Sequence, residues 1–458
     1  MSISRSFPPE LRLPKFVAAA LRLSLLVASY MRTGTVILTQ GDTASYLAPG
    51  HNLLFHGSFA NGALPEIDRT PGYPLFAMLT GMAWNNVLLT AIVQIALSLV
   101  TLWFISRIAE RCFPQTNAAI IAAWLFAVEP LSIVMNVRLM PETLFLLLLV
   151  VFLDRLIEYQ ATGKLQTLAA AGLLLAAATF VRPVSYYLVF CLTAALAIIP
   201  QRERGHRWKA PALLLLTVLP WFAVWQWRNF AQTGYSGFSA IVEKNLYFYQ
   251  SAEVAAELAH TSFADEQLKR GYPDEAAYLA AHPDQRTWTQ PQRLAYMRAQ
   301  SVQLLGQQRA LYLRSHFKGV AIVAFTPAAA ESLQLLGLAS ASDGMPKRLV
   351  NESLGTSIAS VAHSQPAIVI YMGLLEVFLL LLYGLALYGL LRGKGSTLAK
   401  VTLTGCILYF LLISGGAQAV GRYRLPILPE VCILAAGGVA PLRRRNQVAG
   451  ELEAEVSL

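Results

Sequence analysis

Charge is scarce in this chain: Asp, Glu, Lys and Arg make up 14% of its residues, against about 25% in a soluble domain. That excludes an ordinary water-soluble fold. Cysteine is scarcer still. The four, Cys112, Cys191, Cys406 and Cys432, lie within or at the ends of apolar blocks. A disulfide framework is therefore not expected, and no Cys and His spacing fits a zinc site. Internal repeats and low-complexity tracts are also missing, which excludes solenoids and compositionally biased arrays.

What the sequence has is apolar surface, 55% of its residues, gathered into blocks near the roughly 20 residues a membrane-crossing helix needs. The blocks are 86–108, 116–135, 141–158, 165–181, 184–200, 209–227, 366–391, 397–416 and 424–441, with a first span inside 13–38 that Arg22 and Arg32 interrupt. An all-α polytopic membrane protein of about ten transmembrane helices is expected. No small-residue cleavage site follows the first apolar run, so that helix is expected to be retained.

A net charge of +10 invites a nucleic-acid reading, but the position of the cations argues against it. Arg107, Arg111, Arg155, Lys164, Arg202, Arg204, Arg207, Lys209, Arg392, Lys394, Lys400 and Arg443 to Arg445 all lie between or just beyond apolar blocks. Counting helices in order, every cluster falls on one side, which the positive-inside rule makes cytoplasmic. Both termini are then cytoplasmic and the helix count even.

Two stretches interrupt the hairpins, and both face outward. Residues 39–72 follow the first span. Residues 228–365 are far longer than an ordinary connection, with helical spacing in Ser251 to Leu258 and Arg293 to Leu313, and read as a mostly helical extracytoplasmic region. The apolar piece Gly319 to Pro327 is too short to span and reads as interfacial or re-entrant. The chain thus divides into an N-terminal transmembrane module (1–227) carrying the outward loop 39–72, the outward region 228–365, and C-terminal helices with a polar tail (366–458).

Charges at membrane depth cost about 2.5–3.5 kcal/mol each on insertion scales and so mark cavities or sites. Here they are Arg22, Glu129, Glu376 and Glu430, with Arg138, Glu142, Arg182, Arg228, Arg422 and Arg424 at outer helix ends. The outer-end cations are all arginine, whose planar fork of donors suits phosphate; snorkelling to headgroups is the plainer alternative. Asp42, directly after the first span, is placed to act as a general base or to cap the helix after it. Glu129 before Pro130 can satisfy backbone freed by the proline, and Glu376 can pair with a buried Arg22. His51 and His56 read as loop histidines, and Trp221, Trp225 and Trp227 as an interfacial belt. Tyr247 and Tyr249 read as packing residues that could stack on sugar. The prolines and glycine of Asp68-Arg69-Thr70-Pro71-Gly72-Tyr73-Pro74 force a turn at the water interface and fix Arg69 close to the membrane surface, near Asp42 in sequence.

The pattern Gly41-Asp42-Thr43-Ala44-Ser45-Tyr46, then Arg69-Thr70-Pro71-Gly72-Tyr73-Pro74-Leu75-Phe76, resembles the first outward loop of the GT-C superfamily of membrane glycosyltransferases. Within that superfamily it is similar to the branch of protein O-mannosyltransferases and the lipid A aminoarabinose transferase. Pro141-Glu142-Thr143-Leu144-Phe145, Phe180-Val181-Arg182-Pro183, Trp227-Arg228-Asn229 and Gly421-Arg422-Tyr423-Arg424-Leu425-Pro426 resemble further family motifs in order. The resemblance implies a GT-C-like fold and an inverting transfer of sugar from a polyprenyl-phosphate donor to a glycan, lipid or protein acceptor at the outer face. By the same resemblance Asp42 would deprotonate the acceptor, and Arg69, Arg182, Arg422 and Arg424 would hold the donor phosphate. Tyr46, Tyr73, Glu129, Arg138, Glu142 and Tyr423 would line the substrate cavity. A bacterial inner membrane is the expected location, with the active site facing the periplasm or exterior and membrane lipids, not nucleic acid, as surroundings.

Departures matter too. One acidic residue follows Gly41 where protein mannosyltransferases have a pair, which favours a glycolipid or polysaccharide acceptor, and no outward C-terminal domain is expected after the tenth span. The family contains both metal-dependent and metal-independent members; no Asp-x-Asp pair occurs in the outward loops, which leans against a bound cation without closing the question, and no other cofactor is indicated. Two other classes stay open: a transporter or lipid-linked-sugar flippase, which would show repeated halves with broken helices, and a non-catalytic assembly partner.

Overall fold

The computed structural model describes residues 9–39, 41–199, 207–338 and 366–440. Arg202, Arg204, Arg443 to Arg445 and the polar tail lie outside the described residues.

Each of the ten apolar segments is mostly helical in its described residues. The first half runs α1 (Arg12–Thr33), α2 (Thr43–His56), α3 (Gly72–Leu79), α4 (Val87–Cys112), α5 (Ala118–Ala127), α6 (Pro130–Val137), α7 (Glu142–Thr162), α8 (Leu165–Val181), α9 (Leu188–Ile198) and α10 (Lys209–Thr233). The region expected to face outward, called the outward region below, follows as α11 (Ile241–Asn245), a π turn, α12 (Ser251–Ala259), α13 (Phe263–Lys269), α14 (Glu275–Ala281), α15 (Gln290–Gln307), α16 (Arg309–Phe325) and α17 (Ala329–Leu335). The last helices are α18 (Pro366–Arg392), α19 (Thr397–Ile413) and α20 (Leu428–Val439). Gly319 to Phe325 is the end of α16, one continuous 17-residue helix.

Among the described residues three helices, α4, α10 and α18, are long and apolar enough to cross a membrane singly, and a fourth span arises if α5 and α6 count together. Their ends follow local chemistry. The Asn86 side chain accepts from the Leu89 N–H to start α4, Ser396 does the same for α19, and α7 stops at Gly163 in the left-handed region.

The block 116–135, expected as one span, is two helices meeting at 57°. Pro130 removes a backbone donor and drives Glu129 into an extended conformation. The Glu129 carboxylate then accepts from the Ser132 N–H at 2.5 Å and caps α6. The break is filled further by Arg22, wholly buried. Its Nε donates to Asn136 Oδ1 at 2.7 Å, and its terminal nitrogens donate to Ser132 Oγ and the carbonyls of Ala18 and Ala127, each at 3.0–3.1 Å. The expected Arg22–Glu376 pairing is therefore wrong: the kink supplies enough acceptors to satisfy the guanidinium without a carboxylate.

Two cores result. The larger runs through the membrane helices, where α7 packs between α4 and α8 and α20 lies against α18. The smaller belongs to the outward region and contains Tyr235, Tyr247, Phe248, Tyr278, Leu294 and Met297. Ile67, from the first outward loop, is buried in this second core, so the loop bearing Arg69 is built into both halves of the molecule. Trp225 also leaves the expected belt. It is buried and donates to the Phe238 carbonyl at 2.9 Å, tying α10 to the outward region, while Trp221 and Trp227 stay exposed.

Candidate active site

Gly41 has a positive φ of +76°, which turns the chain from the end of α1 into α2. Asp42 occupies the capping position of α2, but its side chain makes no cap bond. The carboxylate faces outward instead. Arg422 Nη2 donates to Asp42 Oδ2 at 2.5 Å, and Arg69 Nη2 lies 3.8 Å from Oδ1. The Asp42 side chain remains 41% exposed. Burial works to raise its pKa, but Arg422, then Arg69 and Arg182, outweigh burial and hold the carboxyl below the usual carboxylate range.

Arg69 is positioned in detail. Its Nε donates to Ser45 Oγ and its Nη1 to the Tyr46 hydroxyl, both at 3.1 Å, and the guanidinium lies over the Tyr46 ring. Its own backbone is pinned by Glu66, whose carboxylate accepts from the Asp68 and Arg69 N–H groups at 2.6 and 2.9 Å. Arg228 donates to the Glu66 and Phe59 carbonyls, both at 2.6 Å, so it clamps this loop rather than joining the arginines round Asp42. Lys244 pairs with Asp68 and the Ala240 N–H bonds the Ile67 carbonyl, fixing the loop to the outward region. Close approach completes the arrangement. A Cβ on Gly72 would sit 2.6 Å from the Phe180 carbonyl oxygen, so glycine lets Arg69 come up against the outer end of α8, where Arg182 stands.

A cavity of about 670 Å³ opens here between the membrane helices and the outward region. Asp42, Arg69, Arg138, Arg422 and Tyr423 line one wall, and Lys244, Tyr249, Tyr272, Glu275, Arg293 and Gln334 are on the other. Behind the first wall, Arg182 Nη1 donates to Glu142 Oε1 at 3.0 Å and lies over the Tyr423 ring. Tyr46 supports Arg69 from below, and Tyr73, fully buried, packs edge-on against Tyr46 and donates to Gln94 at 3.0 Å. Glu129 and Arg424 stand apart: Glu129 caps α6, and Arg424 Nη1 donates to the carbonyls of Val323, Ala324 and Thr326. The structure thus gathers four arginines (69, 138, 182 and 422) around two carboxylates (42 and 142). Across the whole cavity five cations face five carboxylates, so the surplus of guanidinium groups is confined to the Asp42 wall, which is where an anion is suited.

Of the second wall the sequence pointed only to Tyr249, as a packing residue that could stack on sugar. Tyr249 and Tyr272 share a hydroxyl–hydroxyl hydrogen bond of 2.9 Å, and Arg293 pairs with Glu275 at 2.6 Å. Tyr247, by contrast, is packed in the small core. Tyr272, Glu275 and Arg293 carried no signal in the sequence; the first loop meets their region through Asp68, which pairs with Lys244. Among the described residues no group of three or more His, Cys, Asp and Glu side chains comes together to hold a metal ion.

Residues 68–227 match the model of a family described as dolichyl-phosphate-mannose-protein mannosyltransferase, which bears out the resemblance to the GT-C glycosyltransferases. The matched stretch contains Arg69, Arg138, Glu142 and Arg182 but not Asp42 or Arg422. No curated protein matches the chain. The archaeal oligosaccharyltransferase AglB of Archaeoglobus fulgidus, solved with an inhibitory peptide and a dolichol-phosphate, aligns over 97% of this chain and 52% of its own, at 11% identity and a TM-score of 0.45. ArnT of Cupriavidus metallidurans in the apo state aligns over 93% of this chain and 77% of its own, at 12% identity and a TM-score of 0.38. Scores below 0.5 leave both as distant likenesses, and this chain spans about half the length of the archaeal protein.

Proposed function

We propose that this chain, similar over residues 68–227 to the mannosyltransferase family, is an inverting membrane glycosyltransferase that moves a sugar from a polyprenyl-phosphate donor to a hydroxyl of a glycolipid, polysaccharide or protein acceptor. About ten spans with both termini cytoplasmic would put the cavity at the outer face of a bacterial inner membrane. The observation that carries the reading is Asp42, ionised between Arg69 and Arg422 at the wall of a large cavity roofed by the outward region.

In the reaction the acceptor hydroxyl attacks the anomeric carbon, its proton passes to Asp42, and the bond from that carbon to the phosphate oxygen breaks. Polyprenyl phosphate departs with the bonding electron pair. Guanidinium groups fixed in a poorly hydrated cavity stabilise the charge that collects on the phosphate. Because Asp42 is already held ionised, it needs no proton loss before accepting one. A transporter reading would draw on the broken helix at α5 and α6, but Glu129 and Arg22 fill that break with internal hydrogen bonds.

The test is transfer from radiolabelled polyprenyl-phosphate sugars by the purified protein and by Asp42→Asn. The expected outcome is transfer by the native chain, reduced about 10²- to 10⁴-fold in the variant while donor binding persists. Equal transfer by both removes Asp42 from catalysis. No donor binding by the native chain removes the glycosyltransferase reading.

A further inference from the structure

We infer that Arg138 is the residue that takes the donor phosphate, and that Arg69 and Arg422 serve the base instead. This rests on the glycosyltransferase reading of the cavity and assigns the arginines within it.

Inversion places the attacking hydroxyl and the departing phosphate on opposite faces of the sugar. The base must lie with the hydroxyl, so cations bound directly to the base are poorly placed to bind the leaving group as well. Arg422 and Arg69 are both engaged with the Asp42 carboxylate, and Arg182 is engaged with Glu142. Arg138 differs from all three. Among the described residues it enters no ion pair. Its Nη2 donates to Gln334 Oε1 at 2.8 Å and to the Glu331 carbonyl at 3.4 Å, and its Nε is buried without a hydrogen-bond partner. A buried guanidinium N–H left unmade is costly, and an anionic oxygen is the partner that would repay it best.

Place and rigidity agree. Arg138 lines the same cavity as Asp42. Its backbone is held because Gln94 Nε2 donates to the Arg138 carbonyl at 2.7 Å, while the next residue, Leu139, bonds Leu38 through its N–H and accepts from Thr43 Oγ1 at 3.0 Å. Thr43 adjoins Asp42, so phosphate site and base are built on one stretch of hydrogen-bonded backbone. The electrostatics separate the arginines in the same way. Burial disfavours charge on Arg138 most; Glu331 and, more weakly, Glu142 oppose it, and the Arg422 guanidinium adds to it, whereas around Arg69 burial is outweighed by Tyr46, Asp42, Asp68 and Glu66. A phosphate arriving beside Arg138 relieves its repulsion from Arg422. The bond to Gln334 also ties the site to α17, so the outward region helps to aim it.

The experiment compares farnesyl phosphate with farnesol as probes of the full chain in detergent micelles, by titration calorimetry. The native protein is expected to prefer the phosphate, and Arg138→Ala to lose that preference by about 10- to 100-fold with farnesol binding unchanged. Arg138→Lys should restore part of it, and Gln334→Ala should weaken it a few-fold. If Arg138→Ala does not purify folded, Arg138→Gln and Arg138→Lys decide the matter by the same ratio. Survival of the phosphate preference, or equal weakening of both probes, overturns the assignment and leaves the glycosyltransferase reading standing. No preference for phosphate in the native protein removes the donor class, and the assignment with it.

Discussion

The Arg422 guanidinium donates to the Asp42 carboxylate at 2.5 Å across a separation of 380 residues. One partner follows the first helix of the chain and the other precedes the last, so this contact forms only when both ends of the helical array are in place. It also sets the chemistry of the site, because a half-exposed carboxylate between two guanidinium groups stays ionised to lower pH than an unpaired one.

The pH dependence of transfer should report this directly. A depressed folded pKa means that the ionised form of Asp42 is fully present above the usual Asp value and lost only as pH falls through the lower folded value. In Arg422→Ala the largest opposing charge is gone and burial acts with less resistance. The acid limb of log(kcat/KM) against pH should therefore move to higher pH than in the native protein. An unmoved limb would mean that Asp42 is not the group titrating.

Glu66→Ala should cost about 1–3 kcal/mol of stability, because two backbone N–H groups lose their acceptor, and should lower kcat/KM through displacement of Arg69. Glu66→Gln keeps an acceptor oxygen and should lie close to the native protein in both. Melting temperature and kcat/KM measured on the two variants separate these effects.

Gly72→Ala places a methyl group against backbone atoms of Phe180 and Val181, which cannot rotate out of the way. A destabilisation of about 1–3 kcal/mol is expected, seen as a lower melting temperature in the same detergent. An unchanged melting temperature would show that the first loop can stand off from α8 at no cost.

Arg22→Ala should be among the most damaging substitutions outside the cavity. It strands the acceptors of Asn136, Ser132 and Ala127 in a buried kink, at a cost of about 3 kcal/mol or more. Glu376→Gln, which removes no partner of Arg22, should stay within about 1 kcal/mol of the native protein. Denaturant midpoints of the two variants give the comparison.

The sequence by itself determined where the helices run, because apolar length is a local property: each of the ten apolar segments is mostly helical where it is described. It also pointed to the segments that meet at the site, since Asp42, Arg69, Arg138, Arg422 and Tyr423 were all singled out before their geometry was known. The break at Glu129 was visible only as a proline, not as a 57° bend, because how far a helix yields depends on what fills the gap, and Arg22 comes from another helix. The division of labour among the arginines was likewise invisible. All are identical in chemistry and similarly placed at helix ends; which one meets a carboxylate, a row of carbonyls or an open cavity depends on contacts between residues up to hundreds of positions apart. Tyr249 could be noted from the sequence as able to stack on sugar, but the wall it forms with Tyr272 and Arg293 belongs to the tertiary structure, because packing around Ile67, and not any local motif, brings those side chains to the cavity that Asp42 lines.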